Sequence, residues 1–300
     1  MYFSSLELSL SYARLGASRL ILAVRSIDKG EAAKRDIAAC APRDGKKSLD
    51  IQVWQLDMSS YASIQAFAAR LNGTELDRVD YFLANAGLTL TEYSMAEDCE
   101  KMIMVNFVGT FLLVALILPK MKATAAQFGT HPTITLTSSG AHRFTKFPQK
   151  TAPKGEILAT CNDKAYAEKN WGNQYPVSKI LGIFALRAIG EHYPQTSVTI
   201  NGADPGLCQS EFGRDMKGVQ AAIFPIVMAT LARTSEEGSR CLVHAAAQGP
   251  ESHGAYLEDA KIKAPSDVVT KNSHLDEQIW TELTQKLESI VPGCVANFAP

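Results

Sequence analysis

Five short apolar runs, each separated from the next by a helical stretch of ten or more residues, constrain this chain most. They cover residues 19–24, 50–56, 79–83, 132–137 and 197–201. A strand that returns in the same direction through a helix is a βαβ crossover. A series of them builds a parallel sheet covered by helices on both faces, with right-handed connections. The first run, Arg19-Leu20-Ile21-Leu22-Ala23-Val24, reads as a buried parallel strand. Apolar residues recur at helical spacing over residues 6–15, 28–39, 60–71, 96–121, 174–191, 217–231, 235–247 and 276–290. Gly16 is a stop for the first helix, and Asp28 an N-cap for the second. A late short strand is expected at Gly254-Ala255-Tyr256, and residues 141–172 read as a polar, irregular insertion. There is no repeat and no low-complexity linker. Residues 1–300 therefore read as one α/β domain with a doubly wound parallel sheet.

Composition removes several function classes. A net charge of −1 gives no electrostatic reason for a nucleic-acid partner or an anionic membrane. The six cysteines are scattered without a Cys-x-x-Cys pair, so neither a metal site nor a disulfide framework is expected. The longest apolar run, residues 107–118, falls short of the ~20 residues a bilayer requires and reads as a buried helix. Glu7 precedes any basic residue, so a secretory signal is not expected and the chain is placed in the cytoplasm. No Gly-x-Ser-x-Gly elbow and no paired carboxylates suggest a hydrolase.

In sheets of this kind ligands bind beyond the carboxyl ends of the strands. Polar residues collect there: Arg25, Asp57, Asn85-Ala86-Gly87, Ser138-Ser139 and Pro205-Gly206. Tyr175 and Lys179 stand four residues apart on a helix, hence on one face. A lysine so placed can lower a tyrosine from its usual pKa of about 10, and such a phenol can exchange a proton with a substrate oxygen. This is the one Tyr-x-x-x-Lys in the chain, and chance alone would give about half of one. Plainer readings exist for each residue. The serines would be strand-end hydroxyls, Asn106 a satisfied polar group in a core helix, and Asp57 a cap for the helix near Ser60. Arg25 would be a solvated charge, and His142 a lone histidine without a role.

Together, Asn85-Ala86-Gly87, Thr135-Leu136-Thr137-Ser138-Ser139, Tyr175-Pro176-Val177-Ser178-Lys179 and Pro205-Gly206-Leu207-Cys208-Gln209-Ser210 resemble the short-chain dehydrogenase/reductase family. The resemblance runs over nearly the whole chain and implies a Rossmann-type NAD(P)-binding domain. Gly254-Ala255-Tyr256 and Trp280 look like fungal members that act in secondary metabolism. The resemblance implies Tyr175 as proton donor or acceptor, with Lys179 lowering its pKa and bonding the nicotinamide ribose. It implies Ser139 as the holder of the substrate oxygen and Asn106 as support for a water-linked proton path to the lysine. Asn85, Ala86 and Gly87 would line the cofactor cleft, Asp57 would meet the adenine, and Ser210 the nicotinamide carboxamide. Arg25 stands where an acid would select NAD. An arginine there can pair with a 2′-phosphate, which implies NADP(H). Substrate selection is implied for the insertion and for residues 207–231, where Phe144, Phe147, Trp171 and Phe212 suit a bulky, partly apolar small molecule. A homo-oligomer would pair through the long helix from Ala96 and the helix after Tyr175.

One departure stands at the front. The family opens with a strand and a Gly-x-x-x-Gly-x-Gly turn that meets the cofactor's pyrophosphate at a helix N-terminus. Here Met1-Tyr2-Phe3-Ser4-Ser5-Leu6-Glu7 leads directly into the helix, so the central first strand of the sheet is expected to be missing. Three explanations follow: an incomplete gene model lacking about 20–25 residues, a shortened relative with impaired dinucleotide binding, or a compensating rearrangement. The leading expectation is an NADP-dependent oxidoreductase interconverting a ketone and an alcohol. The rival is a catalytically impaired binding or regulatory scaffold.

Overall fold

The computed structural model describes residues 2–40, 49–209 and 232–300. The expected helix at 217–231, Ser210, Phe212 and most of the 207–231 loop lie outside the described residues. Helix α1 (Tyr2–Arg14) ends at Gly16, whose φ of 85° suits a residue without a Cβ. Strand β1 (Arg19–Val24), helix α2 (Ile27–Cys40), strand β2 (Asp50–Gln55) and helix α3 (Tyr61–Asn72) follow. Ser60 caps α3 by accepting from the Ser63 N–H. Helix α2 begins at Ile27, one residue before the expected cap Asp28, and Asp28 sits in its first turn. Strand β3 (Tyr81–Ala84) leads to a small antiparallel pair, β4 (Met95–Ala96) and β5 (Cys99–Glu100).

Helix α4 (Lys101–Phe128) begins later than the hydrophobic pattern predicts. Residues 95–100 are spent on the β4–β5 pair, which turns at Glu97 with a φ of 53°. Glu100 then caps the helix, its carboxylate accepting from the N–H groups of Met102 and Ile103. Though long and apolar enough to cross a bilayer, α4 has 89% of its apolar stretch buried inside the protein. Strand β6 (Thr133–Thr137) precedes the insertion, which is more ordered than expected. It holds helices α5 (Ile157–Asn162) and α6 (Lys164–Lys169), and buries Phe147, Ile157 and Cys161 completely. Helix α7 (Trp171–His192), strand β7 (Thr199–Asp204), helix α8 (Ser235–Ala246), strand β8 (Tyr256–Glu258), strand β9 (Lys261–Ile262), and helices α9 (Asp267–Thr270) and α10 (His274–Ile290) complete the chain.

The order β3-β6-β7-β8 is parallel, with β9 antiparallel at the edge, and β1 pairs parallel with β2. Helices α1, α2 and α8 cover one face, and α3, α4 and α7 the other. Among the described residues no ladder joins β1 to β3, so the sheet is in two pieces at the place where the first strand of this fold belongs. Burial follows the break. Every residue of β7 is buried, as are four of five in β6, whereas Leu22 alone is buried in β1 and none in β3. The expectation of a buried first run is corrected accordingly: β1 has a strand neighbour on one edge only.

Helix α1 links the two pieces. Leu8 packs with Ala203, Leu242, Ala245 and Leu257 of the larger piece. Leu10 and Ala13 pack with Leu22, Ile37 and Ile51 of the smaller one. The Tyr12 ring meets Tyr81 at 5.8 Å.

Candidate active site

The carboxyl ends of β3, β6 and β7 meet α4 and α7 at one spot. The register Thr137↔Ala203 levels β6 with β7, so Ser138 and Ser139 stand beside Asp204. Ser139 caps the turn that follows, accepting from the Ala141 N–H at 3.2 Å. Its side chain also hydrogen-bonds Tyr175 across from α7. Lys179, one turn further along, is buried and donates to the Thr137 carbonyl at 2.8 Å, with its Nζ 5.9 Å from the centre of the Tyr175 ring.

Asn106 lies where α4 widens into a π-helical turn, Met104–Val108. Such turns recur at functional sites because they re-aim a side chain out of the helical ladder. Its Oδ1 accepts from the Leu88 N–H at 2.8 Å, and its Nδ2 donates to the Leu88 carbonyl at 2.8 Å and to Ser178 Oγ at 2.9 Å. Asn106 thus clamps the chain leaving β3 onto α7. Asn85, in that chain, accepts from Thr137 Oγ1 and donates to Ser5 of α1, both at 2.9 Å. A cavity of about 30 Å³ lies behind Lys179, lined by Asn106, Ser138, Ser178 and Gly202. It has room for a water molecule. The buried Ser138 hydroxyl, which lines it, has no partner among the described residues.

Electrostatics corrects one expectation. Burial pushes Tyr175 up to about 12 and outweighs the hydrogen bond from Ser139, while the charge of Asp204 pushes the same way. Burial also brings Lys179 down to about 8. Tyr175 therefore stands above its ordinary value rather than below it, because burial outweighs the groups that favour the phenolate.

Arg25 and Asp57 lie across the break, at the ends of β1 and β2. Arg25 is exposed. Burial opposes ionisation of Asp57, yet the Ser59 hydroxyl and N–H, with the charges of Arg25 and Lys101, hold its carboxyl below the usual range. Asp57 does not cap α3, since Ser60 does. Ala86 is exposed, and a Cβ on Gly87 would come within 3.3 Å of Asn106 Oδ1 and 3.4 Å of Lys179 Nζ.

Sequence reasoning passed over three residues here. Ser178 carries the Asn106 bond and itself donates to the Tyr175 carbonyl at 2.8 Å. His142 is fully buried: its Nε2 accepts from the Ser266 N–H at 3.0 Å, so its Nδ1 donates to the Ser139 carbonyl at 2.7 Å. It fixes the turn that carries Ser139. Asp204 is buried, and only the strand register shows that it faces the site.

Residues 5–145 match the family model described as short chain dehydrogenase. The short chain dehydrogenase/reductase dmxR8 of Cryptosporiopsis sp. is 51% identical over 298 residues, covering 97% of this chain and 89% of that protein. This chain belongs to the short-chain dehydrogenase/reductase family. It is an oxidoreductase of a family that uses nicotinamide cofactors. The short chain dehydrogenase atnD of Emericella nidulans is 36% identical over 260 residues, covering 85% of this chain and 80% of that protein. Among solved structures, the fold is similar to a short-chain dehydrogenase from Sphingobium yanoikuyae in complex with NADPH, with a TM-score of 0.57, 18% identity, and coverage of 94% and 90% of the two chains. Salutaridine reductase from Papaver somniferum matches with a TM-score of 0.59, 17% identity, and coverage of 84% and 95%.

Proposed function

We propose that this short-chain dehydrogenase/reductase is an NADP-dependent enzyme interconverting a ketone and an alcohol on a small, partly apolar molecule, in fungal secondary metabolism and in the cytoplasm. The observation that carries the reading is the Tyr175–Ser139 hydrogen bond beside buried Lys179. A substrate oxygen between the two hydroxyls receives the Tyr175 proton, while Ser139 holds that oxygen and stabilises its developing charge. A tyrosine pushed up to about 12 keeps its proton at neutral pH, which suits reduction of a carbonyl.

The residues present fit the ribose and nicotinamide end of the cofactor. Lys179 uses one of its three N–H donors on Thr137 and faces Gly87, whose bare Cα leaves the approach open. Lys179 and Tyr175 would hold the ribose, with Asn85, Ala86 and Gly87 along the cleft and Ser210 at the carboxamide. When bound, the nicotinamide supplies or accepts the hydride. Asp57 would meet the adenine. Arg25, exposed and without an ion pair among the described residues, would take the 2′-phosphate. Relatives named together with NADPH, such as the Sphingobium enzyme, agree with that choice. The insertion and the 207–231 loop would select the substrate, and pairing through α4 and α7 would make a homo-oligomer without nucleic acid or membrane.

Two substitutions test the reading. Tyr175→Phe is expected to abolish turnover in a screen of ketones with NADPH while leaving the circular dichroism spectrum unchanged; an active variant would refute the mechanism. Arg25→Asp is expected to weaken NADPH binding, followed by fluorescence, at least about tenfold more than NADH binding. Equal losses would sink the NADP assignment.

A further inference from the structure

Asp204 is a buried acid at the end of β7, one residue beyond Ala203, which is level with Thr137. Thr137 is the residue whose carbonyl holds Lys179. One carboxylate oxygen accepts from the Gly206 N–H at 2.9 Å. The other lies against the turn that carries Ser139, so close that a Cβ on Gly140 would come within 2.9 Å of it. That oxygen also receives a long hydrogen bond, 3.4 Å, from Tyr256, whose hydroxyl is shared with Glu258 at 3.2 Å.

Among the described residues Asp204 has no ion pair. The cations that could neutralise it are engaged elsewhere: Arg143 on Glu258, and Arg233 on Asp259. A buried carboxylate left without a counter-ion is costly, and its field reaches groups that an exposed charge would not. The titratable groups within reach of its charge are Tyr175 and Lys179 on α7, His142 on the turn, Tyr256 on β8, Cys208 after β7 and Cys241 on α8. Lys179 is the cation among them. Burial keeps His142 below its ordinary value, and its Nε2 must stay unprotonated to accept from Ser266.

We propose that Asp204 is a positioning residue of the reaction, a fixed negative charge that keeps the protons on Tyr175 and Lys179 and so poises the site to donate a proton. Removing that charge would let Tyr175 ionise more readily and would lower the pH at which it ceases to be a proton donor. The charge acts in the same direction on both groups, favouring the ammonium and disfavouring the phenolate. The proposal rests on Tyr175 as the proton donor, and its test does not pass through turnover.

Asp204→Asn keeps the side chain's shape and the acceptor for Gly206 while removing the charge. In protein carrying ¹³C at the lysine Cε, the Lys179 resonance is identified by its absence from Lys179→Met, and its titration is followed by NMR. The wild-type midpoint is expected near 8. In Asp204→Asn it is expected to fall by at least half a unit, about a threefold weaker hold on the proton. Tyr256→Phe, which keeps the carboxylate, is expected to leave the midpoint in place, separating loss of charge from local repacking. An unchanged midpoint in folded Asp204→Asn, or an equal shift in Tyr256→Phe, overturns the proposal. If Asp204→Asn does not fold, Gly140→Ala, which pushes the carboxylate aside, takes its place in the titration; an unchanged midpoint there overturns it too. An active Tyr175→Phe would defeat the proton-donor reading while leaving the Lys179 titration as it stands.

Discussion

Removing the Asn106 amide should cost the protein stability and loosen the site in a way that can be located to one residue. Asn106→Ala deletes three hydrogen bonds at 2.8, 2.8 and 2.9 Å, two to the Leu88 backbone and one to Ser178 Oγ. Each such bond contributes about 0.5–1.5 kcal/mol net, and a buried group left unpaired costs about 1–3 kcal/mol. Leu88 is partly buried, so water can recover part of its loss, whereas Ser178 is fully buried. The expected total is about 2–4 kcal/mol, read from the shift of the urea midpoint at constant slope. Hydrogen exchange supplies the location. The Leu88 amide, which donates to Asn106 Oδ1, should exchange at least about tenfold faster, while amides of β7 should keep pace with global stability. A double cycle with Ser178→Ala should show coupling of about 1 kcal/mol. A variant within about 0.5 kcal/mol of wild type, or a Leu88 amide as protected as before, would refute the clamp and return Asn106 to an ordinary helix residue.

Stability should also fall as the solution is acidified below pH ~6.5. Burial holds His142 and His253 below their ordinary values, so the unfolded chain binds protons there that the folded chain refuses, and the loss grows until the folded values are reached. His142→Gln should flatten that slope in urea titrations run across pH, and an unchanged slope would exclude His142 as a source. Leu8→Ala should cost about 2–5 kcal/mol by opening a hole against Ala203, Leu242, Ala245 and Leu257. In that variant, amides of β1 and β2 should exchange ahead of those of β6 and β7. Uniform loss across all four strands would mean that α1 does not join the pieces.

What the sequence disclosed was whatever repeats locally. The strand runs and helical spacings gave the fold class. Ser139, Asn106, Tyr175 and Lys179, spread from position 106 to 179, do converge. What it hid depends on partners distant in the chain. Glu100 is completely buried, and it begins α4 because it caps the helix and accepts from Gln174 at 3.1 Å, 74 residues away. Phe147, Ile157 and Cys161 sit among polar neighbours that made the insertion look irregular, although the structure buries all three. Asp204 directly precedes Pro205-Gly206 in the sequence, and only the register with β6 brings it to the site. The direction of the Tyr175 shift was hidden for the same reason: spacing puts a lysine near a tyrosine, but burial by distant parts of the chain sets the phenol's pKa.

Among the described residues the two pieces of the sheet are joined by side chains of α1 and not by a ladder. Leu8 and Leu10 are two residues apart on α1, about 200° around its axis, so one helix can press one leucine into each piece of the sheet. That recovers apolar burial at about 25 cal/mol per Å². It recovers none of the ladder, because a helix spends its own N–H and C=O groups internally and offers none to a strand edge. Among the described residues β1 therefore keeps one bonded edge and is mostly half-buried, while β6 and β7, bonded on both sides, are buried almost throughout. Tyr12 lies at this junction, with its ring against Tyr81. Its hydroxyl is buried without a partner among the described residues, and burial raises its pKa well above the ordinary tyrosine value. The residues proposed for proton transfer all belong to the larger piece. Arg25 and Asp57, proposed for the cofactor's far end, belong to the piece that α1 holds by side chains. Chemistry at Tyr175 and grip on the dinucleotide are thus separable, and a change that loosens α1 should weaken the second before it disturbs the first.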